Sequence, residues 1–181
     1  MLTVEIPLGP EGYDEVIGEF VSAESYKLDL EHSLLSLSKW ESKWCKPFLD
    51  NKGLTDEETM DYIKCMTLTE GVDDCIYNLL TNENVTQINN YIAAPMTATT
   101  FHDNQKSRGG KEIITSELIY YWMIALNIPF ECQYWHLNRL LTLVRVCNIK
   151  NAPPKKRSKS DIANQYKALN AQRRAQMNTK G

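Results

Sequence analysis

Cys132 and His136 stand four residues apart, the spacing that on one helix lets an imidazole deprotonate a thiol or lets both side chains hold a metal ion. No third ligand follows nearby and the surrounding stretch is apolar, so the pair reads as a core histidine beside a buried thiol. Cys45, Cys65, Cys75 and Cys147 bring the cysteines to five, an odd number at wide spacing with no C-x-x-C pair. That is the usage of free thiols in a reducing compartment. His32 and His102 stand alone near polar residues and read as solvent-facing or capping groups. Gly109-Gly110-Lys111 lacks the G-x-x-x-x-G-K-[ST] frame of a phosphate loop and follows no predicted strand, so it reads as exposed loop. G-x-S-x-G and H-E-x-x-H are also missing. The expectation is a protein that is not an enzyme and uses no cofactor or metal.

The remaining chemistry is charge. Residues 1–150 carry 12 Lys and Arg against 22 Asp and Glu, a net −10, while residues 151–181 carry 8 against 1, a net +7. An acidic body therefore bears a basic arm, with a run at Lys155, Lys156, Arg157 and Lys159. Such an arm could grip a nucleic-acid backbone, with Tyr166 as a stacking ring. Against that reading stand the acidic body and the lack of a recognisable aromatic-rich platform. A protein-docking arm is favoured.

These groups need elements to position them, and 181 residues with 43% hydrophobic content suffice for one core plus an appendage. The longest apolar run, from Leu118 to Leu126, falls well short of the roughly 20 residues of a membrane span. The first residues show no basic start and no cleavage site of a secretory signal. Alternation in residues 3–8 and 20–30, with Gly9, Pro10 and Gly12 between, predicts a small antiparallel β element within about residues 1–31. From Ser33 the period turns helical: Leu34, Leu37, Trp40 and Trp44 share a face, Glu41 falls outside it, and Pro47 ends the helix. Thr55 and Glu58 form a capping box for a helix through Met60, Ile63 and Met66. Short helices follow at residues 75–80 and 85–92, then a polar loop over residues 98–111.

The strongest core signal is a helical hairpin about Asn127-Ile128-Pro129. Its first helix carries Ile114, Leu118, Tyr121, Trp122 and Ala125 on a stripe, with Ile113, Ile119, Met123 and Ile124 on the other faces, so it is expected to be buried nearly all round. Its second helix turns Tyr134, Leu137, Leu140, Leu141 and Val144 inward and Gln133, Arg139, Thr142 and Arg145 outward. Trp122 and Trp135 are expected among the buried rings. After Pro153-Pro154, Ser158 and Asp161 start a final helix on which Ile162, Tyr166, Leu169 and Arg173 follow i, i+4, i+7 and i+11. That stripe needs a protein surface to dock on, another copy of the chain (self-association) or a client, with Arg173 and Arg174 pairing to acidic groups there. The predicted fold is mainly α: a compact acidic helical body with a small N-terminal antiparallel β element (residues 1–150) and a basic C-terminal helical arm (residues 151–181).

Residues 30–49 (LEHSLLSLSKWESKWCKPFL), 96–101 (MTATTF), 113–156 (IITSELIYYWMIALNIPFECQYWHLNRLLTLVRVCNIKNAPPKK) and 168–181 (ALNAQRRAQMNTKG) resemble the tail assembly chaperones of long-tailed bacteriophages, the third stretch most specifically. The resemblance implies a chaperone that binds the tape measure protein, keeps that long helical chain soluble and helps recruit the tail tube protein. It also implies a cytoplasmic protein of the infected bacterium, absent from the mature virion, and the shorter of two products related by a ribosomal frameshift. The family has no catalytic residue to carry over. Beside it stands the alternative of a nucleic-acid-binding phage or bacterial protein that uses the basic arm.

Overall fold

Alternation of Val4 and Ile6 in one strand and Leu28 and Leu30 in another gives two half-apolar ribbons that are stable only when they pair and cover one face. In the computed structural model, which describes residues 1–9, 12–14, 19–21, 24–50, 53–101, 113–153 and 159–177, they do so. Strand β1 (Leu2–Pro7) pairs antiparallel with β4 (Ser25–Leu30) in the register Val4↔Leu28 and Ile6↔Tyr26. All four aliphatic side chains are fully buried. On the open face the Lys27 and Glu5 side chains meet at 3.4 Å. Between them lies a second antiparallel pair, β2 (Gly12–Asp14) with β3 (Glu19–Val21). Gly12, expected in the turn, instead begins a strand; Pro10 lies outside the described residues.

The described residues form seven α-helices: α1 (Leu34–Trp44), α2 (Asp56–Met66), α3 (Asp74–Asn78), α4 (Asn82–Ala93), α5 (Ser116–Ala125), α6 (Leu137–Asn151) and α7 (Lys159–Met177), with a 3-10 helix at Phe130–Tyr134. The protein is mainly α. Capping explains where three of them start. Ser33 with Ser36, Thr55 with Glu58 and Thr81 with Asn84 each exchange side-chain and backbone hydrogen bonds, satisfying N–H groups that a helix start leaves unpaired. Helix α1 ends at Cys45 in a left-handed conformation (φ 52°), two residues before Pro47, with the Cys45 N–H returned to the Glu41 carbonyl.

Helix α1 is the centre of the body. It packs on α2, α5 and the 3-10 helix, while α4 packs on β1. Leu34, Leu37 and Trp40 are fully buried, the Trp40 indole N–H donates to the Glu58 carbonyl at 2.9 Å, and Trp44 stacks on Trp40 at 6.1 Å. Glu41 is also buried. Its Oε1 accepts from the Phe48 N–H at 2.9 Å and its Oε2 from the Ser116 N–H at 2.7 Å, so one carboxylate ties α1 both to the segment after it and to the first turn of α5. That moves it from the outer position that periodicity assigned. The charge is tolerated because backbone donors replace water around it.

The central hairpin of the sequence reading is corrected in the same way. Helix α5 packs on α1, and it buries only Ser116, Ile119 and Met123. Tyr121 and Ile124 are each 62% exposed, and Trp122 is half-buried. An apolar helix is buried all round only when neighbours stand on every side, and α1 covers one. Helix α6 buries Leu137, Leu140 and Val144 as expected, but Tyr134 precedes it on the 3-10 helix and is 59% exposed. Trp135 is half-buried, so the fully buried tryptophan is Trp40.

The chain divides into two compact units, Met1–Asn148 and Ile149–Gly181. No helix among the described residues is long and apolar enough to cross a membrane.

Candidate protein-binding surfaces

Helix α7 has the composition of a solvated helix, with Gln, Lys, Arg and Ala predominating, and its 19 residues exceed the length at which helices become marginally stable alone. Tyr166, Leu169 and Arg173 follow i, i+3 and i+7 and share one face. Tyr166 is 63% and Leu169 40% exposed, and Arg173 and Arg174 are exposed beside them. The side chain of Ile162 and residues 154–158, including Lys155, Lys156, Arg157 and the capping Ser158, lie outside the described residues. The described part of the predicted stripe therefore presents a phenol, an isobutyl group and two guanidinium groups to solvent.

Cys132 and His136 do not share a helix. Asn127 takes a left-handed turn (φ 52°), Pro129 precedes the 3-10 helix that carries Cys132, and His136 lies between that helix and α6, bridged to Ser33. The Asn138 N–H donates to His136 Nδ1 at 3.3 Å, which makes Nε2 the protonated nitrogen, and Nε2 donates to the Tyr91 carbonyl at 3.0 Å. Both nitrogens are occupied, leaving none to activate the thiol. Burial and the neighbouring Glu131 push the Cys132 thiol up, away from the reactive thiolate.

His32 is buried as well, which corrects the solvent-facing role read from its polar neighbours. Its ring meets His136 edge to face at 5.1 Å, and its Nδ1 sits 2.5 Å from the Tyr62 hydroxyl, the phenol donating to the unprotonated nitrogen. Burial, reinforced by the facing His136, pushes His32 down to about 3, and burial also lowers His136. Tyr91 donates to Glu31 at 2.6 Å. This network joins β4, α1, α2, α4 and α6 as structural scaffolding. His102 and Gly109-Gly110-Lys111 lie outside the described residues.

A feature that sequence reasoning missed lies on α5 and the 3-10 helix. Tyr121 and Ile124 project from the side of α5 away from Ile119 and Met123, and Tyr120 stands one turn from Ile124. The Tyr120 ring lies 6.5 Å from that of Phe130, and its hydroxyl donates to Gln133 at 2.9 Å. Burial, and then the nearby Tyr134, push the Tyr120 phenol up. Phe130 is 54% exposed. Four exposed side chains, Tyr121, Ile124, Phe130 and Tyr134, with the half-buried Tyr120 among them, thus form an open face, so the body does carry an aromatic-rich surface. The signal was present in the sequence as an apolar helix with more apolar faces than one neighbour can cover.

A shallow cleft between α1 and α2 is lined by Lys43, Trp44, Glu57, Met60, Asp61 and Lys64, and both of its lysines are held by carboxylates. Lys43 pairs with Asp61, the Trp44 indole donates to the same carboxylate at 2.9 Å, and Lys64 pairs with Asp74 at 2.6 Å. Comparison with family models, with curated proteins and with solved structures finds no match to this chain.

Proposed function

We propose that the chain is a non-enzymatic assembly chaperone of a long-tailed bacteriophage. It binds the tape measure protein in the cytoplasm of the infected bacterium, keeps that helical chain soluble, helps recruit tail tube subunits, and is left out of the mature virion. The observation that carries this reading is α7, a 19-residue helix whose Tyr166 and Leu169 are exposed beside Arg173 and Arg174. An exposed amphipathic helix adheres through apolar anchors at helical spacing, while its charges orient the partner. The resemblance of residues 113–156 to the chaperone family supplies the class of client. The structural roles of His32 and His136 and the unreactive thiol of Cys132 agree with a binding protein.

The basic balance of the arm keeps nucleic acid as the second reading, and one experiment separates the two. Co-expression with a tape measure protein of a long-tailed bacteriophage, followed by affinity recovery after nuclease treatment, is expected to yield the tape measure protein in the soluble fraction. Recovery of protected nucleic acid without that client overturns the chaperone reading.

A further inference from the structure

The open face on α5 and the 3-10 helix is independent of α7. Between residues 113 and 136 the only charged side chains are Glu117 and Glu131, both carboxylates and both exposed. Glu117 lies one turn before Tyr121 and two before Ile124, and Glu131 adjoins Phe130, so two carboxylates stand at the apolar face, while the nearest cation along the described chain, Arg139, is stacked on the Trp135 ring at 4.1 Å. Tyrosine and phenylalanine are the residue types that anchor protein interfaces, combining large contact area with few rotatable bonds. Helix α5 is about 15 Å long, which matches two to three turns of an opposing helix.

We propose that the face formed by Tyr120, Tyr121, Ile124, Phe130 and Tyr134 docks an amphipathic helix of a partner protein whose apolar stripe is flanked by lysine or arginine. The apolar stripe covers the rings and the flanking cations meet Glu117 and Glu131. The sign of the rim decides against two other occupants. Phosphate groups of a nucleic acid meet two carboxylates at this face and a single guanidinium, Arg139, beside it on Trp135, although the rings could stack on bases. The same face of a second copy brings the same two carboxylates into the interface. The acidic balance of residues 1–150 extends the preference to longer range, favouring approach of a cationic partner.

The test uses the full chain and two synthetic helical peptides with one leucine stripe in common, one flanked by lysine and one by glutamate, titrated by fluorescence anisotropy. The lysine-flanked peptide is expected to bind at least about tenfold more tightly than the other. Tyr121→Asp combined with Ile124→Asp lowers its affinity by at least about tenfold, as loss of two interface anchors does. Glu117→Lys combined with Glu131→Lys reverses the preference toward the glutamate-flanked peptide. Because all four side chains are exposed, an unchanged denaturation midpoint certifies the fold of each variant. Equal binding of both peptides, binding of neither, or undiminished binding by Tyr121→Asp with Ile124→Asp overturns the proposal. So does displacement of the peptide by a single-stranded oligonucleotide, or self-association of the chain that this double variant abolishes.

Discussion

Helices α1 and α5 pack against each other, yet they meet opposite fates. Helix α1 is the more polar in sequence, with Ser36, Ser38, Lys39, Glu41, Ser42 and Lys43 among its residues, and it is the centre of the body; helix α5 is almost wholly apolar and leaves Tyr121 and Ile124 in solvent. The difference is the number of neighbours. Helix α1 meets α2, α5 and the 3-10 helix, and its buried Glu41 and Ser36 are matched by backbone partners. Burial thus follows from how many elements surround a helix and whether its polar groups find partners, and apolar residues in excess of the available cover are left exposed.

The sharpest way to break this contrast is at its buried end. Trp40→Ala is expected to cost about 3 to 5 kcal/mol in urea denaturation, a large share of the 5 to 15 kcal/mol typical of a domain. Trp122→Ala and Trp135→Ala, at half-buried sites, are expected to cost less. A loss at Trp122 equal to that at Trp40 contradicts the placement of α1 at the centre. Next comes Glu41→Ala, which strips acceptors from the Phe48 and Ser116 N–H groups and is expected to cost about 1.5 to 3 kcal/mol. Amide hydrogen exchange should rise at Ser116 more than at α2.

The paired histidines provide a pH dependence of comparable size. Their pKa values in the folded protein lie below the unfolded value near 6.5, so the unfolded chain binds more protons as the pH falls below that value. Stability is full above about pH 6.5 and is lost as the pH drops toward the folded values, about 3 for His32. Between pH 7 and 5 a histidine that stays neutral when folded contributes a loss of about 2 kcal/mol. His32→Gln should flatten this slope in urea midpoints measured across that range, and an unchanged slope assigns the loss elsewhere. The smallest effect belongs to the open face: Tyr121→Ala is expected to shift stability by no more than about 0.5 kcal/mol. A larger loss at that position places the ring in the core.

Much of this was legible in the sequence. The Thr55 and Glu58 capping box, the stripe from Leu34 to Trp44 and the alternation around Val4 and Leu28 state their local structure through hydrogen bonds and periodicity that involve near neighbours in the chain. What was illegible depends on distant partners. Glu41 reads as outward because periodicity does not register the Ser116 N–H, 75 residues on, that makes burial tolerable. His32 reads as polar surface because Tyr62 and His136 close over it from other elements. Cys132 and His136 read as one helical pair because the left-handed Asn127 and the 3-10 helix that reset the chain have no strong period of their own. On α7 spacing alone identifies the face that Tyr166 and Leu169 share, since the face of a helix is set by residues three and four apart in its own sequence.

The most direct measurement compares two variants of the full chain for binding to the proposed client, a tape measure protein, at about 50 and 200 mM salt. One carries Tyr166→Ala with Leu169→Asp, and the other replaces Lys155, Lys156 and Arg157 with Gln. Docking through the apolar stripe predicts that the first variant loses most of its binding, the second keeps most of it, and salt weakens the wild type only modestly. Phosphate-type binding falls instead by about 0.9 log units per log unit of salt for each neutralised charge. Loss of binding in the charge variant, with retention in the stripe variant, makes the arm an electrostatic tether and contradicts α7 as an apolar docking helix.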